Sequence, residues 1–62
     1  MDDLPNPGET RYVRLYGEVR TVVVQPFDQR LVRELRGCIS ARDTATGVYR
    51  NFFPHELKTF PT

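Results

Sequence analysis

The stretch Asp28-Gln29-Arg30-Leu31-Val32-Arg33-Glu34-Leu35-Arg36-Gly37-Cys38-Ile39-Ser40-Ala41-Arg42 decides the fold, because it can be read in two ways. As a helix over 29–36, Asp28 is the N-cap and Leu31, Val32 and Leu35 form the apolar stripe. Arg33 and Arg36 then lie favourably near the C-terminus, and Gly37 ends the element. As a strand over 31–42, Leu31, Leu35, Gly37, Ile39 and Ala41 alternate toward one face, with Arg33 as the exception. A helix this short is marginal without strong tertiary packing. The strand is therefore the favoured expectation and the helix the alternative.

Upstream, Arg11 to Gln25 concentrates β-branched and aromatic residues on either side of Gly17-Glu18, a two-residue turn with glycine first, the type II′ signature. That turn sets Tyr16 opposite Val19, Arg14 opposite Thr21, Tyr12 opposite Val23, Val13 opposite Val22 and Leu15 opposite Arg20. One face then carries Val13, Leu15, Val22 and Val24, interrupted only by Arg20, and must be buried. The other carries Tyr12, Arg14, Tyr16, Val19, Thr21 and Val23. It reads as a wet surface of aromatic residues and arginines. Residues 1–9 hold two prolines, a glycine and acids with little to bury, so they read as a flexible N-terminal tail ahead of a single small domain over 10–62.

Downstream, Pro26 ends the second strand, and the loop 26–30 joins it to the favoured strand. Asp43-Thr44-Ala45-Thr46-Gly47 is a turn, with an aspartate to bond the local backbone and a glycine placed for positive φ. Val48 to Phe53 reads as a strand, Pro54-His55-Glu56 as a single helical turn, and Leu57 to Phe60 as a short last strand. The expected fold class is all-β with five short antiparallel strands. The alternative is α+β with the helix at 29–36. This order of elements, the Arg36-Gly37-Cys38-Ile39 to Asp43 stretch and the ending Asn51-Phe52-Phe53-Pro54-His55-Glu56-Leu57 together resemble the SH3-like small barrels, the superfold of SH3, Tudor and KOW domains, over roughly residues 8 to 60. The resemblance implies a fold and no binding residues. The chain has no tryptophan to stand for the proline-binding one, and no complete methyl-lysine cage is legible.

Sixty-two residues supply one hydrophobic core and not two. Cys38 is the only cysteine, which excludes an intramolecular disulfide and every multi-cysteine zinc pattern. It reads as a packed thiol in a reducing, cytoplasmic setting. His55, the sole histidine, has no ligand-like spacing to Cys38 or the carboxylates, and no serine elbow or reactive-cysteine context accompanies it. The four glycines are spread one per turn or junction, unlike a phosphate-cradling loop. No metal, cofactor or catalytic apparatus is therefore expected. The longest aliphatic run, Val22-Val23-Val24, is far short of the ~20 residues that span a bilayer. The formal charge of +1 makes no global case for an anionic partner.

Eight of the nine basic residues are arginine, whose planar fork suits phosphate, carboxylate and aromatic faces. Two functions follow. The first is a non-catalytic protein-interaction or assembly module, in which exposed Phe27, Tyr49 or Phe60 docks on another protein or on a second copy. The second is a nucleic-acid-binding module, in which Arg11, Arg14 and Arg20 meet phosphates while Tyr12 and Tyr16 stack on bases. Glu9, Glu18 and Glu34 blunt such a patch, so the first is favoured. An inhibitor or a subunit of a larger complex is a further alternative.

Overall fold

Consecutive strands pair antiparallel in the computed structural model, which describes residues 4–61. The strands are β1 (Thr10–Leu15), β2 (Glu18–Val24), β3 (Ile39–Asp43) and β4 (Tyr49–Phe52), in the order β1-β2-β3-β4 within one open sheet. A short helix, α1 (Gln29–Leu35), joins β2 to β3, and a 3-10 turn at Pro54–Glu56 follows β4. Thus the α+β alternative is the one that forms. The five-stranded small barrel expected from the sequence is corrected to four strands in an open sheet. The last strand expected over 57–60 reduces to one bridge, in which Lys58 and Tyr12 exchange backbone hydrogen bonds of 2.8 and 2.9 Å.

The favoured strand over 31–42 is wrong in its first half for an identifiable reason. Asp28 accepts hydrogen bonds from the N–H groups of Arg30 (2.9 Å) and Leu31 (3.3 Å), which satisfies donors that a helix start leaves free. At the other end Arg36, not Gly37, takes the left-handed conformation (φ 54°), and the Gly37 N–H returns to the Leu31 carbonyl at 3.2 Å. A side chain at Gly37 would begin 3.2 Å from Leu31 Cγ, so glycine permits this close return. Only Val32 of α1 is buried, whereas Leu31 and Leu35, which the strand pattern sent to the core, are exposed.

The first hairpin turns one residue earlier than expected. Tyr16 and Gly17, both at positive φ (52° and 79°), form the two-residue loop, and both central residues positive is the type I′ pattern. Leu15 therefore faces Glu18, Val13 faces Arg20 and Tyr12 faces Thr21. The partner of each β1 residue moves by two positions, and an even shift keeps every side chain on its face. Val13, Val22 and Val24 are accordingly buried, with Leu15 packed partly against them.

Ile39, Ala41, Phe52, Val32 and Leu57 complete the core. Of the expected N-terminal tail, residues 1–3 lie outside the described residues. Residues 4–9 are tied to the sheet: Pro5 is buried, Leu4 packs on the core, the Gly8 N–H donates to the Val24 carbonyl at 2.7 Å, and the Val24 N–H donates to the Glu9 carbonyl at 2.9 Å. Among the described residues no helix is long and apolar enough to cross a membrane.

Candidate functional site

The five residues expected to form a binding face fall into three groups. Arg11 and Arg20 lie on the core side of the hairpin, where each does structural work. Arg11 is only 8% exposed; it donates to the Leu57 carbonyl at 3.0 Å and pairs with Glu9. The Glu9 carboxyl is held below the usual carboxylate range, first by the Asn6 N–H that it accepts at 3.0 Å and then by Arg11. Arg20 bonds Asp43 at 3.0 Å and lies 3.6 Å from Glu18. Asp43, 4% exposed, also accepts the Ala45 N–H at 2.8 Å, so one carboxylate ties β2 to the β3–β4 turn.

Tyr12 and Arg14 occupy the opposite face of β1, as the alternation required. Tyr12 is half-buried by its bridge to Lys58, and Arg14 is exposed, donating to the Gly17 carbonyl at 3.3 Å. Both border a shallow cleft of about 230 Å³ whose far side is His55, Glu56 and Lys58. His55 stacks on Phe53 with ring centroids 5.9 Å apart. The Phe53 N–H donates to Glu56 at 2.8 Å, which fixes the 3-10 turn beside the cleft.

Tyr16 stands apart from these four at the tip of the β1–β2 turn. It is 87% exposed, and the Arg50 guanidinium lies 6.0 Å from its ring centroid. Arg50 belongs to β4, which β3 separates from the β1–β2 hairpin in sheet order, so the curl of the sheet brings the two together. Sequence reasoning missed Arg50. Nothing local marks it, because contact across a curled sheet depends on tertiary shape and not on spacing.

Charge in the described residues is distributed less evenly than the total suggests. Glu9, Glu18, Glu34 and Asp43 pair with arginines, Asp28 caps α1, and Glu56 caps the 3-10 turn. By contrast, Arg14, Arg33, Arg36, Arg42, Arg50 and Lys58 meet no carboxylate among the described residues. Each of these acids thus has an arginine or a backbone N–H as its partner, and among the described residues six cations are left without a carboxylate.

Apolar exposure is also high. Tyr49, Phe53 and Phe60 are exposed, as are Leu31 and Leu35, beside which Asp28, Arg30 and Glu34 border a hollow of about 280 Å³. Phe27, expected among the exposed aromatics, instead packs partly against the core. Cys38 is exposed, contrary to the packed thiol expected: β3 begins at Ile39 with that side chain inward, so alternation turns its neighbour out. No three of the histidine, cysteine, aspartate and glutamate side chains among the described residues gather where one metal ion could bind them. Compared with protein-family models, curated proteins and solved structures, the chain matches none.

Proposed function

We propose that the chain is a non-catalytic protein-interaction module whose contact surface centres on Tyr16, and one observation carries this reading. A bulky residue held in the left-handed region loses about 1–2 kcal/mol, and asparagine or glycine would relieve that strain in a type I′ turn. The exposed contact with Arg50 returns about 0.5–1 kcal/mol. Stability alone therefore does not favour tyrosine at this position. An aromatic ring held out by a tight turn beside a guanidinium has the chemistry of an interface anchor. The exposure of Tyr49, Phe53 and Phe60 supports the same reading, with another protein or a second copy as the partner.

Nucleic-acid binding is less well supported, since Arg11 and Arg20 are committed to ion pairs on the core side. An adaptor, an inhibitor or a subunit of a larger complex would use the same surface. We place the activity in the cytoplasm, where a single exposed thiol stays reduced. The likeness to SH3-like small barrels belongs to the same proposal, supported by the return of the chain after the 3-10 turn to bridge β1 at Tyr12.

Photo-cross-linking tests the function. With benzoylphenylalanine in place of Tyr16, irradiation in the native host should give a discrete protein adduct that survives nuclease. Excess wild-type domain should compete it away, and the Tyr16→Asn variant, which should be as stable as wild type or about 1 kcal/mol more so, should not. A nuclease-sensitive adduct, or labelling no stronger than from the same probe at exposed Thr46, would overturn the reading.

A further inference from the structure

Strand β4 is a free edge, and its backbone groups can be assigned a direction. The Gln25 N–H donates to the Ser40 carbonyl and the Asp43 N–H to the Val48 carbonyl, each at 2.9 Å, so even-numbered residues of β3 bond toward β2 and odd-numbered ones toward β4. The pairs Ala41–Arg50 and Ile39–Phe52 then exchange the ladder bonds. Tyr49 and Asn51 turn their N–H and C=O groups outward, where no group of the described residues meets them. The opposite edge of the sheet differs, because Lys58 bonds Tyr12 there.

Sheets guard such edges with prolines, bulges or charge. Strand β4 carries only charge, and that charge discriminates between partners. In the two-fold register that pairs Tyr49 with Asn51 of a second copy, the two Arg50 residues face each other as the close non-bonded pair, an unfavourable like-charge contact. Among the described residues neither Arg50 nor Arg42, the partner of Tyr49 across the ladder, meets a carboxylate, and β4 carries no acid. A strand bearing carboxylates meets the opposite situation.

We propose that the β4 edge receives an extended acidic segment of another protein, which adds as a further strand with a carboxylate opposite Arg50. The proposal rests on the docking function above and names its partner class. The added strand gains hydrogen bonds from Tyr49 and Asn51 and runs beside the Arg50–Tyr16 pair, so the edge and the anchor form one surface.

The probe is a capped heptapeptide alternating glutamate with valine, compared with the same peptide carrying lysine for glutamate. Titrated into isotope-labelled protein, the glutamate peptide should slow amide exchange at Tyr49 and Asn51 and bind about tenfold more tightly than the lysine peptide. Arg50→Glu should reverse that preference. Asn51→Pro, which removes an outward N–H and leaves the β3 ladder intact, should abolish binding with the melt retained. The proposal is overturned by shifts confined to α1 or the Tyr12–Lys58 cleft, or by indifference to the sign of the peptide. It is also overturned by protection of Tyr49 and Asn51 that rises with protein concentration alone, the mark of a second copy. Each of these leaves the cross-linking result at Tyr16 standing, so failure of the edge and failure of the docking function are distinguishable.

Discussion

At the scale of single residues, the polar groups that look functional in the sequence divide into those that hold the fold and those left over. Arg11 belongs to the first kind: its guanidinium reaches across the chain to the Leu57 carbonyl and needs Glu9 beside it to balance its charge. Glu9 is accordingly a pH-dependent element of stability. Its folded carboxyl binds a proton less readily than the unfolded one, whose value is about 4.3. The stabilisation is complete above that value and is lost as pH falls through the lower folded one. Glu9→Gln should therefore cost about 1 kcal/mol at neutral pH, or roughly 4–8 °C in the melt for a domain this size. The gap to wild type should begin to narrow as pH falls below the unfolded value and close only below the lower folded one. A gap that stays constant across an acid series of melts would show that Glu9 acts by packing and not by charge.

At the scale of elements, what local chemistry determines was legible and what tertiary packing determines was not. The Asp43 to Gly47 turn, the stop at Pro26, the 3-10 turn at 54–56 and the buried valines of the first hairpin all follow from side-chain type and alternation. Turn chemistry puts the hairpin loop one residue too late because a tyrosine in the left-handed region defies it, and Tyr16 accordingly belongs to the turn and not to a strand face. The segment after Pro26 satisfied two periodicities at once, and its N-cap bonds and one buried valine favoured the helix. The choice has a direct test. Asp28→Ala should cost about 1 kcal/mol by removing the cap, while Leu35→Ser should change stability by less than about 0.5 kcal/mol. The strand reading requires the reverse, a silent Asp28 and a damaging Leu35, so a denaturant series on the two variants separates them. Of the candidate site, Tyr12 and Arg14 were placed on the correct face, but the Tyr16–Arg50 contact joins positions that only the curl of the sheet brings together.

At the scale of the whole molecule, the near-zero formal charge conceals how charge is used. The described acids are engaged in pairs and caps, and among the described residues Arg14, Arg33, Arg36, Arg42 and Arg50 meet no carboxylate, on a molecule that also exposes aromatic rings. Such a surface attracts any polyanion to some degree, and the manner of binding separates a nucleic acid from an acidic peptide. A nucleic acid gains affinity by releasing condensed counterions, so binding falls steeply with salt in proportion to the phosphates neutralised. It also needs several rings free to stack, and Tyr12 is half-buried beside its bridge to Lys58, which leaves Tyr16 alone of the two. A docked peptide strand gains from backbone hydrogen bonds and aromatic burial, which salt weakens little. A mixed-sequence single-stranded oligonucleotide should therefore bind no tighter than about 10⁻⁵ M at physiological salt, where non-specific attraction already operates. It should not displace the glutamate peptide from β4. Fluorescence anisotropy at several salt concentrations measures both properties. Sub-micromolar oligonucleotide affinity at physiological salt, lost when Tyr12→Ala is combined with Arg14→Ala, would reassign the arginine and aromatic surface to nucleic acid.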